Sequence, residues 1–161
     1  MKLLAIAIFV LSSSAALATP AVGDYAVFSG TVTKGTQVTT IRDEMELVSY
    51  DQTTNQFTEK ITETTPAGTT SGSQQVDATK LLTDSTIAQI LQTCASFGGV
   101  PASVTTAIAT FNTCALPVDG NSKGTVWVGA VPFGIVQMDL TDVASGQRSQ
   151  AIVTAARPFP R

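Results

Sequence analysis

From Gly23 to Thr65 apolar and polar side chains alternate with period two, and many positions are β-branched, a pattern that suits strands better than helices. Gly23-Asp24 leads into a strand over Tyr25 to Thr33, and Lys34-Gly35 makes a turn. The chain returns over Thr36 to Tyr50, where Met45 and Leu47 face opposite Glu44 and Glu46. Together these runs predict a hairpin. A second turn, Asp51-Gln52-Thr53-Thr54-Asn55, precedes a third antiparallel strand in which Phe57, Glu59, Ile61 and Glu63 alternate with Thr58, Lys60, Thr62 and Thr64. Pro66-Ala67-Gly68 then opens a stretch of Thr, Ser, Gly and Gln reaching Gln75. That stretch has too little apolar surface to fix its own shape, so the expectation is an exposed, mobile loop.

The period changes after Asp84. Ile87, Ile90, Leu91, Cys94 and Phe97 recur at spacings of three and four, which places them on one face of a helix over about 84–97. Asp84 or Thr83 can cap its start, and Gly98-Gly99 can end it. Between Val104 and Leu116, helical spacing competes with threonine density. The Gly98-Gly99-Val100-Pro101 break and the nearness of Cys114 favour a hairpin. After the turn Val118-Asp119-Gly120-Asn121, strands follow over Thr125 to Val131, Ile135 to Thr141 and Gln147 to Ala155, with Pro158 and Pro160 in an extended tail. These elements predict a mainly β (α+β) fold: an antiparallel curled sheet or half-open barrel of about eight strands with one packed helix.

The N-terminus changes the picture. Met1-Lys2, the apolar run Leu3 to Leu11, three serines and Ala16-Leu17-Ala18 form the order of a secretory signal peptide, residues 1–18. Nine strongly apolar residues are too few for a membrane-spanning helix, which needs about 20. No cysteine follows the small-residue site, so a lipid anchor is not supported. The expected product is an exported chain, periplasmic or secreted, with no membrane-spanning segment and a single β-rich domain over 19–161. Removing Lys2 with the signal leaves eight basic side chains against twelve acidic ones, a net charge of −4. The basic residues are scattered, which argues against nucleic acid as a partner. Export also makes a disulfide between Cys94 and Cys114 the expectation.

The chain has no histidine, which removes Ser-His-Asp and Cys-His catalysis and the commonest metal ligand together. Asp43, Glu44 and Glu46 form the densest acidic cluster, with Glu44 and Glu46 sharing a strand face, and they read as a solvated face. Asp119, Asp139 and Asp142 lack the loop pattern of a calcium site and read as turn and strand-end residues. No metal, cofactor or catalytic site is predicted. Among the large aromatics, Trp127 points opposite Val126 and Val128, so one set faces the core while the other meets solvent, the helix or a ligand.

Three pieces of the second half resemble exported bacterial LolA/LolB-like β half-barrel proteins, over about residues 94–142. They are Cys94 followed by Gly98-Gly99; Ile108-Ala109-Thr110-Phe111 ahead of Cys114; and Val126-Trp127-Val128 leading to Val131-Pro132-Phe133-Gly134. The resemblance implies an unclosed β-barrel with a helix at its mouth. It implies nothing about what is bound, because similar architectures serve different ends.

The leading expectation is a binding or carrier module for a lipid or other apolar ligand, with Trp127, Phe133, Phe28 and Phe57 as candidate lining. The alternative is an envelope structural or protein-interaction module, pairing with an envelope protein through an exposed strand edge or the segment Pro66 to Gln75. An enzyme comes third and would need an acid pair such as Glu44 with Asp43.

Overall fold

Nine antiparallel strands form one sheet in the computed structural model, which describes residues 20–157. The expected signal segment 1–18 and the tail prolines lie outside those residues. Strands β1 (Tyr25–Lys34), β2 (Gln37–Asp51), β3 (Gln56–Thr65) and β4 (Gly68–Asp77) step outward as successive hairpins. A 3₁₀ turn (Ala78–Lys80), helix α1 (Asp84–Gln92) and a second 3₁₀ turn (Cys94–Phe97) carry the chain to the opposite edge. From there β5 (Val100–Thr105), β6 (Thr110–Asp119), β7 (Ser122–Gly129), β8 (Ile135–Asp142) and β9 (Arg148–Ala156) step back inward until β9 pairs with β1. The sheet order is β4-β3-β2-β1-β9-β8-β7-β6-β5, so the outer strands do not pair and the sheet stays open. Register shifts at Val27/Phe28, Leu47/Ser49 and Trp127/Val128 curl it, since a bulge bends and twists its strand.

Two sequence expectations are corrected here. Residues 68–77 are a strand, not a loop, which raises the strand count above eight. The short turn at Pro66-Ala67 sets Thr65 opposite Gly68, and backbone pairing then runs the full length of β3. Hydroxyl bridges support that pairing at Thr62–Ser71 (3.0 Å) and Thr64–Thr69 (3.2 Å). Pairing with a neighbour, rather than apolar burial, orders the segment. The α-helix also ends sooner than Phe97. Thr93 leaves helical geometry (φ −117°, ψ 31°) while its hydroxyl donates to the Gln89 carbonyl at 2.8 Å. The 3₁₀ turn that follows leaves Phe97 52% exposed, off the apolar stripe. At the other end Thr83 is the cap, its Oγ1 accepting from the Thr86 amide at 3.2 Å.

The core has two parts. Ile87, Ile90 and Cys94 press α1 and the turn after it onto Cys114 of β6 and Val128 of β7. The Cys94–Cys114 disulfide, with Cα atoms 5.6 Å apart, fastens this contact. The larger cluster gathers Ala26 and Phe28 of β1, Val136 of β8 and Ala151 and Val153 of β9 at the middle of the sheet. Leu47, Val136 and Val153 are sealed from solvent, each adding about 1.5–3 kcal/mol of apolar stabilisation. Val126 and Val128 pack in the helix cluster and Trp127 against the other, as strand alternation requires.

Candidate functional site: an apolar cavity beside the β2–β3 turn

An apolar hollow lies where the β2–β3 hairpin meets the connection to α1. It holds about 460 Å³ and is lined by Pro20, Ala21, Val22, Tyr50, Phe57, Ala78 and Thr83. This is within the size range of small-ligand sites. Each wall has a local cause. Tyr50 and Phe57 are opposed in the β2–β3 register, and their rings tilt together with centroids 4.6 Å apart. The Tyr50 hydroxyl donates to Asn55 Oδ1 at 2.7 Å, fixing the phenol, while the residue stays 39% exposed. Phe57 forms the floor, 6% exposed.

Residues 20–22 are held as the opposite wall by hydrogen bonds. Ala21 N donates to Asp24 Oδ2 at 2.8 Å, Gly23 N to the Leu47 carbonyl at 2.6 Å, and Leu47 N to the Asp24 carbonyl at 2.9 Å. Ala78 enters because its amide donates to the Asn55 carbonyl at 3.0 Å, which draws the 3₁₀ turn onto the hairpin. Thr83, the cap of α1, is the one aliphatic hydroxyl in the lining. No carboxylate, ammonium or guanidinium faces the hollow among these lining residues. Such a surface suits an apolar body with at most one polar contact.

The four aromatics anticipated as lining do not converge. Phe57 alone is in this cavity. Phe28 is 4% exposed in the central cluster, opposite Val153. Phe133 borders a gap of only about 10 Å³ shared with Leu47, Leu81 and Leu82, at the lower limit for one water molecule. Trp127 edges an open cleft of about 400 Å³ with Lys123, Thr125, Asp139, Thr141 and Arg148, on a different part of the sheet. Tyr50 was not among the anticipated residues: a five-residue turn over 51–55 would set it opposite Gln56, whereas Asp51 pairs with Gln56 and brings Tyr50 opposite Phe57.

No protein-family model matches the chain, and no curated protein does.

The acidic residues fall into separate settings. Neighbours on a strand point to opposite faces, so Asp43 and Glu44 are not a pair: Glu44 meets Arg42 at 3.3 Å, while Asp43 stands in register with Glu63 of β3. Burial, and then the Glu63 charge, pushes the Asp43 carboxyl above its ordinary value, and its Oδ1 has no hydrogen-bond partner among the described residues. Glu59 is buried but accepts from Gln74 Nε2 at 2.6 Å. Arg148 grips Asp139 with two hydrogen bonds, 2.8 and 2.6 Å, and Gln150 adds a third, holding that carboxyl below its usual range. Asp142 is likewise lowered by hydrogen bonds from Ser145. Among the described residues no three His, Cys, Asp or Glu side chains gather as a metal site.

Proposed function

We propose that this chain is an exported binding or carrier module that holds a small apolar ligand, such as a single acyl chain, in the cavity between Tyr50, Phe57 and residues 20–22. The observation that carries the reading is a cavity of about 460 Å³ with a largely apolar, uncharged lining, in a sheet whose centre is already filled by its own side chains. The ligand therefore belongs beside the hairpin turn, not in the middle of the sheet curve where a half-barrel carrier would hold it. Export is supported by the signal-like N-terminus and by the Cys94–Cys114 disulfide, which suits an oxidising compartment. Among the described residues no helix is long and apolar enough to cross a membrane. A LolA/LolB-like architecture accords with the open antiparallel sheet and the helix packed on one face.

The test is titration of the disulfide-bonded chain from residue 19 onward with a dansylated fatty acid. Saturable binding of one equivalent is expected, weakened about tenfold or more by Tyr50→Ala, which removes about 1.4 kcal/mol of contact. Ala78→Phe, which sets a ring into the cavity, should weaken it as well. Unsaturable binding, or binding indifferent to both changes, would overturn the reading.

A second reading, a module that pairs with a protein partner through a strand edge, is favoured by β4, whose side chains are nearly all exposed along an outer edge.

A further inference from the structure

The two edges of the sheet differ in their defences. Unpaired strand edges invite another strand, and proteins blunt them with short length, proline, charge or bulges. Strand β5 has two of these devices: it spans six residues and contains Pro101, which has no amide N–H to donate. Strand β4 has none. It runs ten residues, it pairs with β3 without a register shift, and from Gly68 to Val76 it contains no charge and no proline. Nine of its ten residues are exposed, all but Val76. Every second residue of such a strand turns its N–H and C=O away from β3, toward solvent.

We infer that the outer edge of β4 pairs antiparallel with β4 of a second copy of this chain, about a two-fold axis at Gly72, to form a dimer with a continuous sheet. The sequence about that axis is self-complementary. Ser71 falls opposite Ser73 of the second copy, Thr70 opposite Gln74, and Thr69 opposite Gln75. Asp77, the one charge of the strand, falls opposite Ala67, so no like charges meet. Hydroxyl and amide side chains already bridge β3 to β4 at Thr62–Ser71 and Gln75–Thr58, both 3.0 Å. The same chemistry continues across the new junction, since opposed Ser, Thr and Gln side chains stabilise antiparallel pairs. The two-fold choice matters: pairing β4 with β5 of the next copy would be head-to-tail and would leave a free edge at each end, giving filaments instead of a closed dimer.

The test is sedimentation velocity on the disulfide-bonded chain from residue 19 onward, over roughly 1 μM to 1 mM, the Kd range of modest interfaces. A monomer–dimer equilibrium is expected. Ser71→Lys with Ser73→Lys sets lysine against lysine twice across the axis and should weaken the dimer at least tenfold. Ser71→Lys with Ser73→Glu sets opposite charges against each other at the same two places and should restore it. Both pairs sit on exposed positions, so circular dichroism should show the parent fold. Dansyl fatty acid binding at the Tyr50 cavity should be unchanged, which separates failure here from failure of the ligand reading. A chain that stays monomeric throughout would overturn the inference. So would a dimer indifferent to both variants, or growth beyond two copies.

Discussion

At the scale of single residues, Asp43 and Gly99 show what the fold tolerates and what it does not. Asp43 is half-buried on the sheet face that holds Phe28 and Glu63, its immediate partners across β1 and β3. Burial first and the Glu63 charge second raise its folded pKa above the ordinary 3.8. The folded chain therefore holds this proton more tightly than the unfolded chain does. The resulting stability is complete below pH 3.8 and is lost as pH rises through the raised value. Asp43→Asn should consequently be more stable than the parent at pH 7 in urea titrations, by at most about 1 kcal/mol because solvent still screens a half-buried site. The gain should vanish at low pH. At Gly99 a Cβ would come within 2.5 Å of Cys114 Sγ and 2.7 Å of Leu116 Cδ2, both held in the core. Gly99→Ala should cost about 1–3 kcal/mol by overpacking, read as a lower urea midpoint with unchanged slope.

At the scale of elements, the disulfide ties the turn after α1 to the sheet, and Thr83 caps the start of α1. Closing a loop with a sequence separation of 20 should contribute roughly 3 kcal/mol in the chain-entropy model. Replacing both cysteines by alanine should lower stability by about that amount, while Thr83→Ala should cost about 1 kcal/mol through the lost cap. Chemical unfolding of the two variants checks both figures. Strands with alternating apolar positions were legible in the sequence: β1, β2, β3 and β7 to β9 lie where period two and the turn residues put them. Strand β4 was not, because Thr69-Thr70-Ser71-Gly72-Ser73 has no apolar alternation and its order comes from the register of β3. The end of α1 departs from its spacing for a related reason. Cys94 and Phe97 continue the helical spacing, but the tie to Cys114 and the departure of Thr93 tighten the chain into a 3₁₀ turn.

At the scale of the molecule, the chain folds outward from the centre to one edge, crosses on α1, and returns from the other edge to the centre, so its first and last strands meet at β1 and β9. Of the apolar residues that pattern alone suggested as ligand lining, Phe28 packs in this central seam and Phe133 against it, bordering only a gap of about 10 Å³. The cavity arises at the periphery, where residues 20–22 and the connection from β4 to α1 meet the β2–β3 hairpin. Of that site only Phe57 was legible in the sequence, as an apolar strand position; its pairing with Tyr50 follows from a turn one residue tighter than the turn residues suggest. The contributions of Pro20, Val22 and Ala78 depend on tertiary hydrogen bonds that no local pattern encodes. The most direct test of the account is a two-dimensional amide NMR titration of the ¹⁵N-labelled chain with a long-chain fatty acid. The account predicts shifts concentrated at Val22, Tyr50, Phe57, Ala78 and Thr83. Shifts clustered around Trp127, Asp139 and Arg148, or none at saturation, would contradict it.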